Sequence, residues 1–255
     1  MSTFKNFLSD TAVLSGRMMR HNLRSIDTII TVVAMPVVMM LLTVYVFGGA
    51  MNTGGISYTN YVVPGIILMT IASGVAYAAF RLNNDVTAGI FDRFHSMPIA
   101  KSSILGGHVL SAVVFNAVST VLVMLFAFLI GFRSDAGIVG WLLVIGFLLL
   151  CTLTLTWVAV LFGLLAKSAE GASVFSYFLL LLIFISPAFA PTGTMPGVIR
   201  AVAENQPFTS IVETVRALLL NQPAGNSALA AVLWCAGILL ACYIASMRIY
   251  KHKIR

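Results

Sequence analysis

The chain has 255 residues, of which 60% are hydrophobic and 9% charged, with a net charge of +7 and a mean hydropathy of +1.01. A soluble globular chain carries about 25% charged residues, so this composition cannot cover a water-facing surface and excludes a soluble fold. Cys151, Cys235 and Cys242 all lie in apolar runs without metal-ligand spacing and read as small hydrophobes rather than ligands or disulfide partners. Residues 1–26 alternate polar and apolar and lack a short apolar core followed by a small-residue cleavage site, so insertion is expected through the chain's own spans.

In chain order the first element is an amphipathic helix over residues 4–24. Phe4, Phe7, Leu8, Leu14 and Met18 fall on one side at about 100° per residue, and Arg17, Arg20 and Arg24 on the other. Such a helix lies in the cytoplasmic interface. Six runs are then long enough to cross a bilayer core as helices, which takes roughly 20 residues each. They cover 28–48, 58–80, 105–130, 139–166, 172–190 and 228–247, and none contains Asp, Glu, Lys or Arg. The fold class is therefore all-α integral membrane, with about six transmembrane helices. The fourth run is long and is expected to extend past the lipid.

Basic residues set the orientation. Lys5, Arg17, Arg20, Arg24, Arg81, Arg93, Lys101, Lys167, Arg248, Lys251, Lys253 and Arg255 fall on one side of the spans, and only Arg133, Arg200 and Arg216 on the other. That bias puts both termini in the cytoplasm, which needs an even number of spans. The positive charge is thus a topology signal directed at lipid headgroups, not a nucleic-acid footprint.

The loop over 191–227 is broken by Pro191, Pro196, Pro207 and Pro223. Ser210 and Glu213 have the spacing of a capping box opening a helix from Ile211 to about Leu220. Its apolar content suits a re-entrant or leaflet-resting position before the last span.

Chemistry is expected elsewhere than in this chain. It has no G-x-x-x-x-G-K-[ST] loop, no H-E-x-x-H motif and no Cys/His cluster. The histidines, His21, His95, His108 and His252, have no carboxylate partner by spacing. Ion-coupled carriers usually place acidic or histidine relays in their spans, and here only His108 is available. The expected driving force is a separate soluble ATPase, with no catalytic residue, cofactor or metal in this chain and with ATP and magnesium on the partner.

The stretch between spans two and three carries most information. Phe91, Phe94 and Met97 can plug a partner's apolar cleft, Asp92 and Arg93 can set register, and Pro98 stops the helix. An ordinary interfacial loop helix is the alternative reading of the same residues. The run G-I-F-D-R-F-H-S-M-P-I at 89–99, with the S-S-I-L-G-G-H-V-L that follows at 102–110, resembles the cytoplasmic loop of ABC-2 type permeases, most closely the daunorubicin/doxorubicin-resistance branch. Residues 204–209 (E-N-Q-P-F-T) and 215–220 (V-R-A-L-L-L) give a second match, and the layout agrees over essentially the whole chain. His95 departs from the arginine more usual there.

The resemblance implies a cytoplasmic interfacial helix over 1–26 and a single transmembrane domain over 27–255. Within that domain it implies a coupling loop at 82–103 and an extracytoplasmic loop at 191–227. It further implies a dimer, with homodimerisation expected, and an ATPase docked at Asp85, Gly89, Phe91, Asp92, Arg93, Phe94, Met97 and Pro98, with Glu170 as a second contact. Pro207, Glu213 and Arg216 would belong to an extracytoplasmic gate. The implied function is export of hydrophobic drugs or natural products by alternating access in the cell membrane. Export of a polysaccharide or lipid-linked glycan, ion-coupled transport, and a non-transporting partner protein are the alternatives. Polar or aromatic span residues Tyr77, Asn116, Thr152, Thr154, Thr156 and Phe178 are pathway candidates. Threonines also bond their own helix, Asn116 can bridge two helices, and aromatics pack or face lipid.

Overall fold

The computed structural model describes residues 2–51, 55–91 and 101–253, with side chains over 9–20, 24–51, 55–91 and 103–251. Among them every regular element is a helix. The helices are α1 (Ser2–Arg24), α2 (Ile26–Phe47), α3 (Tyr58–Thr87), α4 (Lys101–Ile130), α5 (Ile138–Leu165), α6 (Ala169–Ile185), α7 (Gly197–Glu204), α8 (Pro207–Leu219) and α9 (Gly225–Lys253).

Five of these, α2, α3, α4, α5 and α9, are long and apolar enough to cross a membrane. The fifth expected span, 172–190, becomes the shorter α6. At 1.5 Å per residue α6 reaches about 26 Å, just short of the roughly 30 Å hydrocarbon core. Pro187 is the cause. The residue before a proline is pushed out of the α region, and Ser186 is extended (φ −73°, ψ 167°). Ser186, Pro187, Ala188 and Phe189 are buried, so this irregular backbone is sheltered by protein, as membrane depth demands.

α3 is the central helix, with 78% of its most apolar stretch buried, against 11% for the peripheral α9. Ser57 caps α3, its hydroxyl accepting from the Asn60 N–H. α3 packs on α2, α4, α5, α6 and α8, while α9 packs on α5 and α8. Pro64 sits inside α3, and one residue on, Gly65 has no Cβ where one would stand 2.6 Å from the Ala188 Cβ. The broken strand of chain after α6 therefore rests directly on α3. In α2 a π-helical turn, Ile30–Ala34, precedes Pro36, widening the helix where a proline N–H is missing.

α1 packs along α4. Thr11, Leu14 and Met18, one helical stripe, are buried, and Leu14 seats against Gly107, where a Cβ would stand 2.9 Å from its own. Arg17, Arg20 and Arg24 are exposed, as the wheel predicts. Over this stretch the apolar face is spent on α4 rather than on lipid.

Candidate functional site

At the α1 end of the bundle, α3 outlasts its apolar run and carries Arg81 and Asp85 on its last turns. The segment expected as a loop from residue 82 is thus helical to Thr87, and α4 begins at Lys101. Asp85 Oδ2 lies 3.4 Å from His108 Nε2 on α4 and 3.9 Å from Arg17 Nη2 on α1. His108 therefore does have a carboxylate partner, contrary to the reading by spacing, because the end of α3 and the start of the next helix, α4, stand side by side. The Arg17 pair is half-exposed and contributes little to stability, so it orients α1 more than it holds it.

Gly89 turns the chain out of α3 with φ 69°, a left-handed conformation that favours glycine. That turn returns Phe91 to a buried site, stacked on His108 (6.0 Å) and edge-on to Tyr250 (6.1 Å). An apolar cluster of Leu14, Leu82, Phe91, Leu105, Leu164 and Tyr250 ties α1, α3, α4, α5 and α9 around it. The structure thus brings together Asp85, Gly89 and Phe91. Asp92, Arg93, Phe94, Met97 and Pro98 lie outside the described residues. Glu170 is exposed on the first turn of α6, which Ser168 caps by accepting from the Gly171 N–H at 3.1 Å.

Sequence reasoning missed Asn83. Fully buried, its Nδ2 donates to the carbonyls of Gly163 (3.0 Å) and Ala166 (2.8 Å), capping the end of α5 from α3. It fixes the turn that carries Glu170 to the helix that carries Asp85. Only its polarity between Leu82 and Asn84 hinted at this. Asn83→Leu is expected to leave both carbonyls unpaired at about 1–3 kcal/mol each. Lowered thermal stability and faster proteolysis at 166–171 would show it; wild-type behaviour in both would refute it.

The opposite end is cross-tied. Arg216 on α8 is buried. Its Nε and Nη2 donate to the Tyr61 carbonyl (3.2 and 3.0 Å), Nη2 also to the Pro187 carbonyl (2.6 Å), and the guanidinium lies 3.8 Å over the Tyr61 ring. Burial pulls its pKa below the ordinary arginine value, and Tyr61 and Glu213 push it back up. Gln206 Nε2 donates to the Leu182 carbonyl (2.8 Å), which also accepts from the Ser186 N–H (3.1 Å) at the end of α6. Asn60 exchanges two 3.0 Å hydrogen bonds with the backbone of Arg133, while Ser134 Oγ and the Asp135 N–H donate to the Leu219 carbonyl (2.7 and 3.1 Å).

The expected capping box is not formed. α8 begins at Pro207, three residues before Ser210, with Gln206 at its N-cap and no side-chain cap bond. Proline pre-sets the first helical turn, leaving Ser210 inside the helix, where its carbonyl accepts from the Thr214 hydroxyl at 2.6 Å. Glu213 is exposed and caps nothing. Although its residue surface reaches solvent, partial desolvation of the carboxyl by its neighbours raises its pKa above the usual carboxylate value, with Arg216 opposing and Glu204 adding.

The pathway candidates scatter. Thr152, Thr154 and Thr156 are buried and donate to carbonyls four residues back, Thr154 also to that of Cys235. Asn116 is fully buried against α3 and donates to the Ala112 carbonyl at 3.0 Å. Tyr77 is half-buried beside Phe80 and Arg81, and Phe178 is exposed on α6. Cys151 and Cys235, distant in sequence, bring their Sγ atoms to 3.7 Å between α5 and α9. Among the described residues, no group of three or more His, Cys, Asp or Glu gathers as a metal site would require.

The daunorubicin resistance ABC transporter permease protein DrrB1 of Streptomyces coeruleorubidus is 29% identical over 227 residues, covering 88% of this chain and 80% of its own length. The probable doxorubicin resistance ABC transporter permease protein DrrC of Mycobacterium tuberculosis is 22% identical over 242 residues, covering 93% of this chain and 87% of its own. The profile of the ABC-2 type transporter family matches residues 10–220, from α1 to the end of α8. That match covers most of the chain and agrees with the described helices that are long and apolar enough to cross a membrane: this chain belongs to the ABC-2 type transporter family and is one of its multi-pass membrane permeases.

Proposed function

We propose that this permease is the membrane subunit of an ATP-driven exporter of hydrophobic drugs or natural products. The observation that carries this reading is the similarity to drug-resistance permeases over 88% and 93% of the chain. Family membership supplies an ATPase partner. In this reading ATP and magnesium act on that partner, and two copies of the permease pair in the cell membrane with both termini in the cytoplasm. The ATPase docks at the α1 end, on the segment that leaves Phe91 and runs through Asp92, Arg93, Phe94, Met97 and Pro98, with Glu170 beside it.

The geometry suits that role. Phe91 and Asp85 join the docking segment to α1, α3, α4 and α9 at once, so a push on it reaches several helices together. Arg216, one turn beyond Glu213 on the helix that Pro207 opens, joins the far end of α3 to the break after α6, where alternating access needs a second closure. Tyr77 and Phe178, both reachable from the surface, are the pathway residues this reading retains.

The test is co-purification from native membranes in mild detergent, followed by ATPase and efflux assays. A stoichiometric ATPase is expected, lost together with efflux in Arg93→Ala at matched expression. A chain that purifies alone, or an Arg93→Ala variant with full efflux, would overturn the proposal.

A further inference from the structure

A cavity of about 340 Å³ lies between α1, α2, α3 and α4 at the proposed cytoplasmic end. Its walls are ordered by depth. Asp27 and Asp85 stand at the outer ends of their helices. Arg81 lies one turn further into α3, donating to Thr28 Oγ1 at 3.1 Å and facing the Tyr77 ring at 5.8 Å. Tyr77 on α3 and Phe115 on α4 stand two turns inside Asp85 and His108, about 10–12 Å deeper by helical rise. Arg17 closes the side from α1. His108 is 7% exposed, and its Nε2, 3.4 Å from Asp85, makes no hydrogen bond. The wall thus keeps a buried nitrogen with bonding capacity to spare.

A wholly basic pocket between helices at the cytoplasmic side selects anionic headgroups. This one is mixed: the carboxylates of Asp27 and Asp85 and the guanidiniums of Arg81 and Arg17 stand side by side near the helix ends, with the rings of Tyr77 and Phe115 deeper. A zwitterionic phospholipid carries the matching groups, an ammonium and a phosphodiester side by side, with glycerol and first methylenes deeper. We propose that the cavity binds one zwitterionic phospholipid headgroup, with its ammonium at Asp85 and Asp27 and its phosphate at Arg81 and Arg17. The volume suits a headgroup, and the cavity lies among helix ends beside α1, at the end the proposed function gives to the cytoplasmic membrane surface. Because Asp85 also faces His108 and Arg17, an occupied site links lipid composition to the seating of α1 and of Phe91. The inference takes from the proposed function only which end faces the cytoplasm, and lipid binding is read without ATPase or transport.

The experiment is native mass spectrometry of the purified full chain, delipidated and offered equimolar phosphatidylethanolamine and phosphatidylglycerol with identical acyl chains. One phosphatidylethanolamine per chain is expected, in clear excess over phosphatidylglycerol. Asp85→Asn is expected to erase that preference while total lipid binding persists. Arg81→Gln is expected to weaken both lipids roughly tenfold, the size of one charge-assisted hydrogen bond. Ser111→Phe, which fills the cavity and leaves every charge in place, is expected to abolish retention. The Asp85→Asn result is a ratio within one sample, so lower expression does not disturb it. Equal binding or a phosphatidylglycerol preference in the wild type would overturn the proposal, as would an unchanged ratio in Asp85→Asn. Displacement of the lipid by glycerophosphoethanolamine at equal concentration would assign the site to a soluble solute and overturn it too.

Discussion

Arg216→Leu is expected to destabilise the chain by about 2–4 kcal/mol and to loosen the outer end of the bundle. The substitution strands the carbonyls of Tyr61 and Pro187, each buried and each served by Arg216. An orphaned buried acceptor costs about 1–3 kcal/mol. The guanidinium stacked 3.8 Å over Tyr61 adds up to about 2 kcal/mol where water is excluded. Against this, removing a desolvated cation returns part of its burial cost, which sets the net below the sum. Arg216→Lys keeps the charge but not the fork that reaches two carbonyls, so it should fall between leucine and wild type. Thermal unfolding in one detergent, with proteolysis over 191–206, reads both effects. If Arg216→Leu melts with the wild type and its loop stays protected, the guanidinium is not what ties α8 to α3 and to the break after α6.

That tie could not be read from the sequence, and the reason is physical. Composition and run length reveal spans because bilayer insertion is a bulk property of about 20 residues; hence α2, α3, α4, α5 and α9 fall close to their expected places. The wheel over 4–24 placed Leu14 and Met18 together for the same reason, since a helix repeats whatever it packs against. Where pairing spans long sequence distance, local pattern is silent. Arg216 and Tyr61 are 155 residues apart, Asn60 and Arg133 are 73 apart, and Asn83 and Gly163 are 80 apart. Asp85 and His108 failed differently, because a search by helical spacing within one element cannot see two helix ends side by side. The Ser210–Glu213 capping box was a local signal outweighed by a stronger one, Pro207 three residues earlier. Pro187 was visible, yet its effect, ending α6 before the span was complete, depended on Arg216 arriving from α8 to take up the Pro187 carbonyl beyond the helix end.

Gly74→Ala carries the second large effect. A Cβ on Gly74 would stand 2.1 Å from Asn116 Oδ1 and 2.7 Å from its Cγ. Asn116 cannot simply swing away, because its Nδ2 donates to the Ala112 carbonyl at 3.0 Å within a fully buried site. Its Oδ1 has no conventional donor and sits where the Gly74 Cα–H points, a weak contact that exists only because the residue is glycine. Adding one methyl must push α3 and α4 apart or expel the amide, at about 1–3 kcal/mol. Helix propensity favours alanine over glycine by up to about 1 kcal/mol, so any loss measured understates the clash. Asn116→Ala alone removes a polar group that is only half satisfied and should be close to neutral. The double variant should recover most of what Gly74→Ala loses, and the double-mutant cycle over the four proteins isolates that coupling. The same set separates two roles for Asn116. If Asn116→Ala keeps efflux while Gly74→Ala loses it, and the pair restores it, the amide is a spacer between α3 and α4. If Asn116→Ala loses efflux at wild-type stability, the amide meets cargo, and the contact with Gly74 is what holds it in place.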